Sequence, residues 1–545
     1  NYQTVDCPTG TPQVEGAAAD CKGDDRIVQG ALGPAFGAIK TIVGSLGTPA
    51  NPSGNPMLAY ADFGDGSLRS RSKQWLSGLE LNYDVTPELT VTSMTGFYKL
   101  DFFNVGNFTA TNRPEAILGS MNALDIREIS EELRLTSNFD GPVNFLIGTQ
   151  YQDSKVEVGS MAAFGAIAGD PSILGPTRPS PFVSTNYYLD QDGEAYSFFA
   201  QIQYKPIPEV EISAGGRYSH ESKKLNSVIN FGNELVGVMP FLSNGKNKRS
   251  FNNFSPEVAV SYRPHNDLTF YVNYKHGFLS GGFNGGSFNT AGDFSFRPQK
   301  VKGFEGGVKG RFLDGMATAE LALYSYKITD LQVQITTSGT VQEMRNAGEV
   351  DSKGAEFSLT LRPARGLQLY ANVAYMDGKY DKYYATCYAG QLALKPGTGI
   401  GECALQPNPT NNNVVGYLQN LSGTRLLRSP EWSGNAGFIY DTPVTDSMKI
   451  ELAGGLTYSD SYIASAVSQP RSNSPHYTLF DASIRLADMD DRWEVSLIGR
   501  NLTNKFYWSR ATDNPTSVAN PNQLADTIAV PSRGREVMLR AGFKY

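Results

Sequence analysis

The last twelve residues, GREVMLRAGFKY (534–545), have the pattern of an extended strand whose two faces differ in polarity. Side chains alternate across a strand with a period of two residues. One face carries Val537, Leu539, Ala541, Phe543 and Tyr545. The opposite face carries Arg540 and Lys544. The pattern predicts an apolar environment on one side of the strand and a wetter one on the other, which fits either the edge of a soluble β-sandwich or a sheet that faces lipid.

The composition is typical of a strand-rich protein with many turns. Of the 545 residues, 11% are aromatic, 56 are Gly and only 19% are charged. No stretch approaches 18 uninterrupted apolar residues, so a helical membrane span is not expected. The formal net charge is -7 and no Lys/Arg-rich block stands out, so we expect no nucleic-acid partner.

The four cysteines form two local pairs in loop-like sequence, Cys7 with Cys21 and Cys387 with Cys403. Pairs of this kind predict two disulfides and an oxidising compartment. A metal site is the alternative interpretation. The chain has no CxxC motif and only four His, so no metal ligand is predicted.

Four further segments repeat the alternation of the last strand over roughly ten residues or more, which is longer than a usual globular strand. They are DLTFYVNYKHGF (267–278), VKGFEGGVKGRF (301–312), SMKIELAGGLTYS (447–459) and DRWEVSLIGRNL (491–502). A soluble propeller would show shorter strands and a repeat of about 40 residues. No such repeat is visible.

The connections between the strands alternate in length. Short turns rich in Asp, Gly and Pro lie at 84–89, 138–143, 205–210, 263–268, 313–316, 362–367, 441–448 and 487–493. Long polar stretches separate the hairpins, at 104–124, 156–192, 223–248, 277–299, 337–348, 379–429, 459–474 and 504–533. Short turns at one end and long loops at the other are typical of an outer-membrane barrel. The sequence therefore predicts an all-β, transmembrane antiparallel β-barrel with short periplasmic turns and long extracellular loops.

The strand count predicts where the chain begins relative to the membrane. Eight hairpins and the last strand give about 17 strands, whereas a bacterial single-chain barrel has an even number. Because the tight turns mark the periplasmic side, the segment before the first strand lies outside the cell. We therefore expect residues 1–71 to be an extracellular loop segment, residues 72–545 to be the barrel, and an odd number of strands to be missing upstream.

Three stretches resemble TonB-dependent outer-membrane receptors of the siderophore-receptor type: 270–334, 480–507 and the last twelve residues. In that family, a Tyr-x-x-Gly-Phe strand end, here Tyr274 to Phe278, precedes a Gly-rich loop and a strand with Glu-x-Gly-x-Lys, here Glu305 to Lys309. The run RNLTNKFY (500–507) is the most specific match. The chain has Pro298-Gln299 where family members often have Pro-Glu.

The resemblance implies a larger receptor than this chain supplies. Barrels of the family have about 22 strands around a plug, so the plug domain and the early strands are expected to be absent here. The implied function is active uptake of a scarce ligand, most commonly a ferric siderophore, in the bacterial outer membrane. The implied partners are the TonB complex, reached through the missing plug, the ligand, and outer-membrane lipid with lipopolysaccharide.

Two sets of residues are candidates for functional roles. The predicted ligand contacts on the loops are Tyr380, Tyr383, Tyr384, Tyr388, Phe283 and Phe288; aromatic rings on a crosslinked loop offer rigid contact area. The tyrosines fit the aromatic girdle of a membrane protein equally well. The predicted lumen wall, which contacts the plug in the family, carries Glu305, Lys309, Arg311, Lys449, Glu451, Arg492, Glu494 and Arg500.

The residues give no support to an enzyme. No GxSxG, HExxH or plausible triad is present, so neither catalytic residues nor a cofactor are predicted. Two other barrel classes stay open. A passive porin would explain the alternation and the polar lumen, and a surface adhesin or phage receptor would use the same loops without transport.

Overall fold

The computed structural model describes residues 3–8, 21–22, 68–107, 118–164, 182–231, 241–284, 295–338, 341–346, 348–388, 390–391, 399–408, 411–513 and 524–544. These residues consist mainly of β-strands and the connections between them. They include a short 3₁₀ turn at Pro470–Ser472. None of their helical segments is long and apolar enough to cross a membrane.

The strands are numbered in chain order through the described residues. The first fourteen are β1 (Gln3–Asp6), β2 (Arg69–Thr86), β3 (Leu89–Asn107), β4 (Leu118–Ser137), β5 (Val143–Phe164), β6 (Phe182–Ile207), β7 (Val210–Phe231), β8 (Phe241–His265), β9 (Leu268–Leu279), β10 (Gly282–Phe283), β11 (Ser295–Phe296), β12 (Gln299–Phe312), β13 (Ala317–Thr329) and β14 (Gln332–Ser338). The others are β15 (Val341–Asn346), β16 (Glu349–Ala364), β17 (Leu367–Lys382), β18 (Tyr384–Thr386), β19 (Cys403–Asn408), β20 (Asn411–Asn420), β21 (Trp432–Thr445), β22 (Met448–Ser459), β23 (Tyr477–Asp488), β24 (Trp493–Arg500), β25 (Trp508–Asp513), β26 (Thr527–Pro531) and β27 (Glu536–Phe543).

One antiparallel barrel sheet contains 17 of these strands, which confirms the predicted count. Its members are β2 to β9, β12, β13, β16, β17, β21 to β24 and β27, and each pairs with the next in chain order. Among the described residues no ladder joins β2 to β27. Because β2 is paired along one edge only, almost every residue in it is exposed.

The two faces of the barrel sheet differ in polarity as the last strand predicts. Val258, Val272 and Phe304 point outward, and each is more than two-fifths exposed. Phe304 packs against Tyr274 on the neighbouring strand, with ring centroids 4.9 Å apart, a contact of about 0.5–1.5 kcal/mol. On the opposite face Asn273 lies beside Glu305. Hydrocarbon offers the backbone no hydrogen-bond partner, so the ladders satisfy it while apolar side chains face lipid.

All eight predicted short turns join consecutive barrel strands in the structure. The turn between β16 and β17 shows why glycine is needed in one of them. Gly366 has φ of +76°, and a Cβ there would lie 2.0 Å from the carbonyl oxygen of Asp441. Any other residue would be strained by its φ and would also clash with the neighbouring backbone.

The strands reach farther on the extracellular side than the sequence predicts. Residues 156–192 form a single loop in the prediction, yet β5 continues to Phe164 and β6 starts at Phe182. β6 has 26 residues, whereas about 9–11 are enough to span the hydrocarbon. The prediction placed the strand ends where the apolar alternation stops, but cross-strand hydrogen bonding continues into water, where either face can be polar.

Small sheets lie in the long connections on the extracellular side. They are β1–β26–β25, β10–β11, β14–β15 and β18–β20–β19. The expected boundary between residues 1–71 and the barrel stays a prediction, because few residues before Ser70 are described. Strand β1, which belongs to the described residues before Ser70, pairs with β26 in the last long connection.

A charge on the lipid face of β8 tests the orientation of the sheet. Arg at the bilayer midplane of a barrel costs about 2–4 kcal/mol, and less near the interfaces. We expect Val258→Arg to lower the free energy of unfolding by up to this amount. The neighbouring Ala259 faces the lumen beside Asn273, so Ala259→Arg is the matched control and should cost little. Unfolding by guanidinium in lipid vesicles measures both, and equal losses would contradict the assigned faces.

Candidate functional site

Four long connections on the extracellular side enclose a cavity of about 370 Å³, which we call the loop cavity. β14 forms one wall, and the connections β17–β21, β22–β23 and β24–β27 form the others. Its described lining is Leu331, Gln332, Val333, Gln334, Tyr380, Tyr383, Leu426, Leu427, Arg428, Ser429, Ala464, Ser465, Ala466, Val467, Arg510, Ala511 and Thr512. The volume lies within the usual range for small-ligand sites, about 300–1,000 Å³.

Buried amide side chains join two of the connections that form this cavity. Gln419 of β20 donates from Nε2 to the carbonyl oxygens of Thr386 and Val467. Gln391 donates to Gln419 Oε1 at 3.1 Å and to the carbonyl oxygen of Gly401 at 2.8 Å. Both glutamines are fully buried, and leaving such a group unpaired costs about 1–3 kcal/mol. The network therefore fixes the β17–β21 connection against Val467 in the cavity wall.

Both predicted disulfides are confirmed. Cys387 and Cys403 are bonded with Cα atoms 5.8 Å apart, within the β17–β21 connection. Cys7 and Cys21 are bonded with Cα atoms 5.6 Å apart. The segment before Cys7 is β1, which is held on the last long connection by its pairing with β26.

The four candidate tyrosines of the β17–β21 connection differ in their surroundings. Tyr380 and Tyr383 are buried, with ring centroids 4.4 Å apart, and pack with Val350 and Leu421. Burial raises the pKa of both hydroxyls, so they stay neutral at physiological pH. Both rings line the loop cavity, although the packing leaves them little free surface for a ligand.

The other aromatic candidates do not belong to the described lining of this cavity. Tyr388 is buried and Tyr384 is partly exposed. Phe283 is half-buried in β10, which pairs with β11. Phe288 lies outside the described residues. The loop cavity thus brings together two of the six residues named as ligand contacts, and the role of the set stays a prediction.

A second cavity, the lumen groove, runs along the inner wall of β16, β17, β21 and β22 and has a volume of about 520 Å³. Polar side chains of Glu356, Asn372, Asn435 and Thr457 contribute to its lining. Arg428 lines both the lumen groove and the loop cavity. The two spaces therefore adjoin at this arginine.

The candidate lumen residues of β12 contact neighbouring strands. Glu305 accepts hydrogen bonds from the hydroxyls of Tyr271 at 3.0 Å and Tyr326 at 3.2 Å. Lys309 pairs with a glutamate of β13, Glu320, at 3.4 Å. Near the periplasmic turn, Arg311 donates to Oδ1 of Asp267 at 2.7 Å. These three charges lie on one face and stabilise the wall itself.

A larger ionic network lies at the periplasmic end of β22, β23, β24 and β27. Asp491 accepts hydrogen bonds from Lys449, at 2.8 Å, and from Arg485. These two bonds lower the pKa of Asp491 to about 2. Glu494 accepts from Arg485 at 2.6 Å and pairs with Arg540 at 3.2 Å. Through Asp491 and Glu494, the network joins β22, β23, β24 and β27 just above the turns.

The last three candidates of the lumen wall have different positions. Glu451 lies opposite Arg485 in the ladder between β22 and β23. Arg500 ends β24 opposite Glu536. Arg492 lies in the turn before β24, is largely exposed and pairs with Asp488 at 2.8 Å. Arg492 is therefore part of a turn and not of the strand wall, because β24 begins at Trp493.

Sequence reasoning missed the residues that give the loop cavity its charge and its rigidity. Arg428 and Arg510 lie in different connections, 82 positions apart in the numbering, and no local pattern distinguishes them from other loop arginines. Gln391 and Gln419 are buried among segments that lie between 10 and 48 positions away in the sequence, such as Gly401 and Val467. A polar residue that is buried by tertiary packing leaves no periodic signal.

The ionic network predicts that the protein becomes less stable as the pH falls into the acid range. Asp491 has a folded-state pKa of about 2 against about 3.9 in an unfolded chain. Its stabilisation is therefore present above pH 4 and disappears as the pH falls to about 2. We expect the resistance of the unchanged protein to guanidinium to fall between pH 4 and 2. The resistance of the Asp491→Asn variant should fall less over the same range. Asp490→Asn, at an exposed neighbour, is the control and should behave like the unchanged protein.

The buried tyrosine pair predicts that substitutions at the adjacent residues Tyr383 and Tyr384 have different effects on the stability of this connection. Tyr383→Ala removes a packed ring, for which the usual cost of a large-to-small aromatic change is about 3–5 kcal/mol. We expect faster amide hydrogen exchange in residues 379–429. Tyr384→Ala, at a partly exposed ring, should change exchange little. Similar protection in both variants would show that the Tyr380–Tyr383 cluster does not stabilise this connection.

Comparisons with known proteins agree on one family. Residues 25–502 match the family described as TonB dependent receptor-like, beta-barrel. The ferric-pyoverdine M114 receptor of Pseudomonas sp. (strain M114) is 22% identical over 419 residues, which cover 74% of this chain and 44% of that protein. The ferrioxamine B receptor of Salmonella typhimurium is 25% identical over 260 residues, or 46% of this chain and 33% of that protein. The chain thus spans less than half the length of these relatives.

Solved structures share the fold. The ferric yersiniabactin uptake receptor FyuA from Yersinia pestis has a TM-score of 0.66 at 14% identity, over 88% of this chain and 62% of that one. The siderophore receptor PiuA from Acinetobacter baumannii has a TM-score of 0.63 at 18% identity, over 88% and 65%. The resemblance seen in the sequence is confirmed: with its barrel of membrane-spanning strands, the chain belongs to the TonB-dependent receptor-like β-barrel family of the bacterial outer membrane.

Proposed function

We propose that the protein to which this chain belongs takes up a ferric siderophore across the outer membrane in a TonB-dependent reaction, and that it is a transporter and not an enzyme. The observation that carries the proposal is the loop cavity, which is built from four extracellular connections and adjoins the lumen groove. A ligand bound there would already lie at the entrance to the barrel. The relatives named above, each a receptor for an iron-carrying siderophore, support the choice of ligand.

The barrel wall has the role of a rigid frame in this proposal. Inward charges such as Glu305, Lys309 and Glu494 are already paired within the wall, and paired surface charges each add little to stability, about 0–1 kcal/mol. Their remaining hydrogen-bonding capacity faces the lumen. We propose that this polar surface contacts the plug, and that TonB acts on the plug to open a path. The outward face contacts lipid, and the extracellular rim contacts lipopolysaccharide.

In this proposal the ligand contacts exposed side chains of the cavity lining, such as Gln334 and Arg428, and not the buried rings of Tyr380 and Tyr383. Tyr380 and Tyr383 are buried in the cavity wall, whereas Tyr384 is partly exposed outside the described lining. In this arrangement the buried pair fixes the geometry while exposed groups select the ligand. Fixing a site in advance improves affinity because less conformational entropy is lost on binding.

Uptake of radioactive iron tests the function. Cells that carry the full-length gene should accumulate ⁵⁵Fe from a set of ferric siderophores, and removal of the gene or of TonB should each lower uptake of one of them at least tenfold. Permeation of a small sugar is the control and should not change. Uptake that continues without TonB would favour a passive porin. The absence of gene-dependent uptake for every siderophore tested would favour a surface adhesin or phage receptor.

A further inference from the structure

The loop cavity carries positive charge and no negative charge in its described lining. Arg428 comes from the β17–β21 connection and Arg510 from β25. The other described lining residues are uncharged. This balance contrasts with the chain as a whole, whose net charge is -7. A positively charged lining attracts anions more strongly than cations.

Neither guanidinium group has a carboxylate within 4.0 Å among the described residues. Other arginines on the extracellular side do have such partners. They are Arg297 with Asp330, Arg425 with Glu431, and Arg471 with Asp6. Arg425 and Arg428 are three positions apart in one connection, yet only Arg425 is paired. The two cavity arginines therefore differ from neighbouring arginines in being available to an anion.

The backbone fixes the position of both arginines. Arg428 has φ of 57°, an uncommon conformation for a residue with a side chain, and its N–H donates to the carbonyl oxygen of Ile463 at 2.8 Å. Arg510 lies within β25, opposite Val530 of β26. Both residues belong to the lining of one cavity, so an anion bound there would be attracted by two positive charges.

The remaining lining is mixed in polarity. Leu331 and Leu426 pack at the edge of the buried cluster with Tyr380 and Tyr383, and Gln334 is exposed beside them. Apolar walls with a few placed polar groups are typical of small-ligand sites. The combination fits a ligand with an apolar or aromatic body and an anionic periphery.

We propose that the loop cavity binds iron chelates of net negative charge, whose carboxylate or catecholate oxygens contact the guanidinium groups of Arg428 and Arg510. Guanidinium groups hold such oxygens through paired, charge-assisted hydrogen bonds. This inference rests on the proposed uptake function and adds the class of ligand to it. Because Arg428 also lines the lumen groove, it keeps contact with the anion at the passage from loops to lumen.

Binding of chelates of different charge tests the inference. The full-length protein, purified in detergent, is titrated with ferric citrate, with a ferric tris-catecholate and with ferrioxamine B, which is cationic. We expect at least one of the anionic chelates to bind more tightly than ferrioxamine B. Arg428→Gln and Arg510→Gln should each weaken this binding at least tenfold, and the double variant at least a hundredfold. Raising the NaCl concentration should weaken binding to the unchanged protein and have little effect on the double variant.

Matched variants separate loss of charge from loss of structure. Arg425→Gln removes a paired arginine from the same connection and should bind the anionic chelate as the unchanged protein does. Arg428→Lys and Arg510→Lys keep the charge and should retain most of the affinity. Heat-dependent migration in gels shows whether each barrel is folded. If a Gln variant does not fold, the Lys variants and the salt dependence of the unchanged protein decide the question.

Three results would overturn the inference. The first is a folded double variant that binds anionic chelates within twofold of the unchanged protein. The second is an unchanged protein that binds only the cationic chelate. In both cases TonB-dependent uptake of iron can persist, so the proposed function would stand without this ligand class. The third is the absence of TonB-dependent uptake for every chelate, which would overturn the proposed function together with the inference.

Discussion

The constraint on which this structure depends is that hydrocarbon offers no partner to a backbone N–H or C=O group. Each barrel strand therefore pairs with the next one in chain order, as the thirteen registered positions between β12 and β13 illustrate. Once the ladders are fixed, the period of two assigns every side chain to lipid or to lumen. The periplasmic turns are short because antiparallel neighbours need only a hairpin. The extracellular connections are free to lengthen because they lie in water.

This division between wall and loops corresponds to a difference in how charged side chains are paired. In the barrel wall, charges face a confined lumen and pair across strands, as Lys449, Arg485, Asp491, Glu494 and Arg540 do. Paired charges hold strands in register and leave little net field. In the loop cavity, Arg428 and Arg510 have no carboxylate partner among the described residues. In the proposed function, these two arginines, and not the paired charges of the wall, would attract an anionic ligand.

The sequence predicts those parts of the structure that obey a short period. The alternation along β22, β24 and β27 and the alternating lengths of the connections are enough for the barrel, its strand count and its eight turns. The disulfides follow from cysteines that are 14 and 16 positions apart in loop-like sequence. The length of β5 and β6 was underestimated, because pairing above the membrane needs no apolar face. The burial of Tyr380 and Tyr383 depends on Val350 and Leu421, which are distant in sequence, so their place in the loop core could not be predicted.

Crosslinks between the described parts of the extracellular connections support the proposed role of the loop cavity. A pair of arginines on mobile loops would find counter-ions in solvent and would gain little from a ligand, since ordering the loops costs conformational entropy. Here the Cys387–Cys403 disulfide, the buried amides of Gln391 and Gln419 and the ladder between β25 and β26 fix the walls before any ligand arrives. Arg428 and Arg510 both belong to the lining of this one small volume. The crosslinks within the connections therefore hold together the walls that carry the two positive charges.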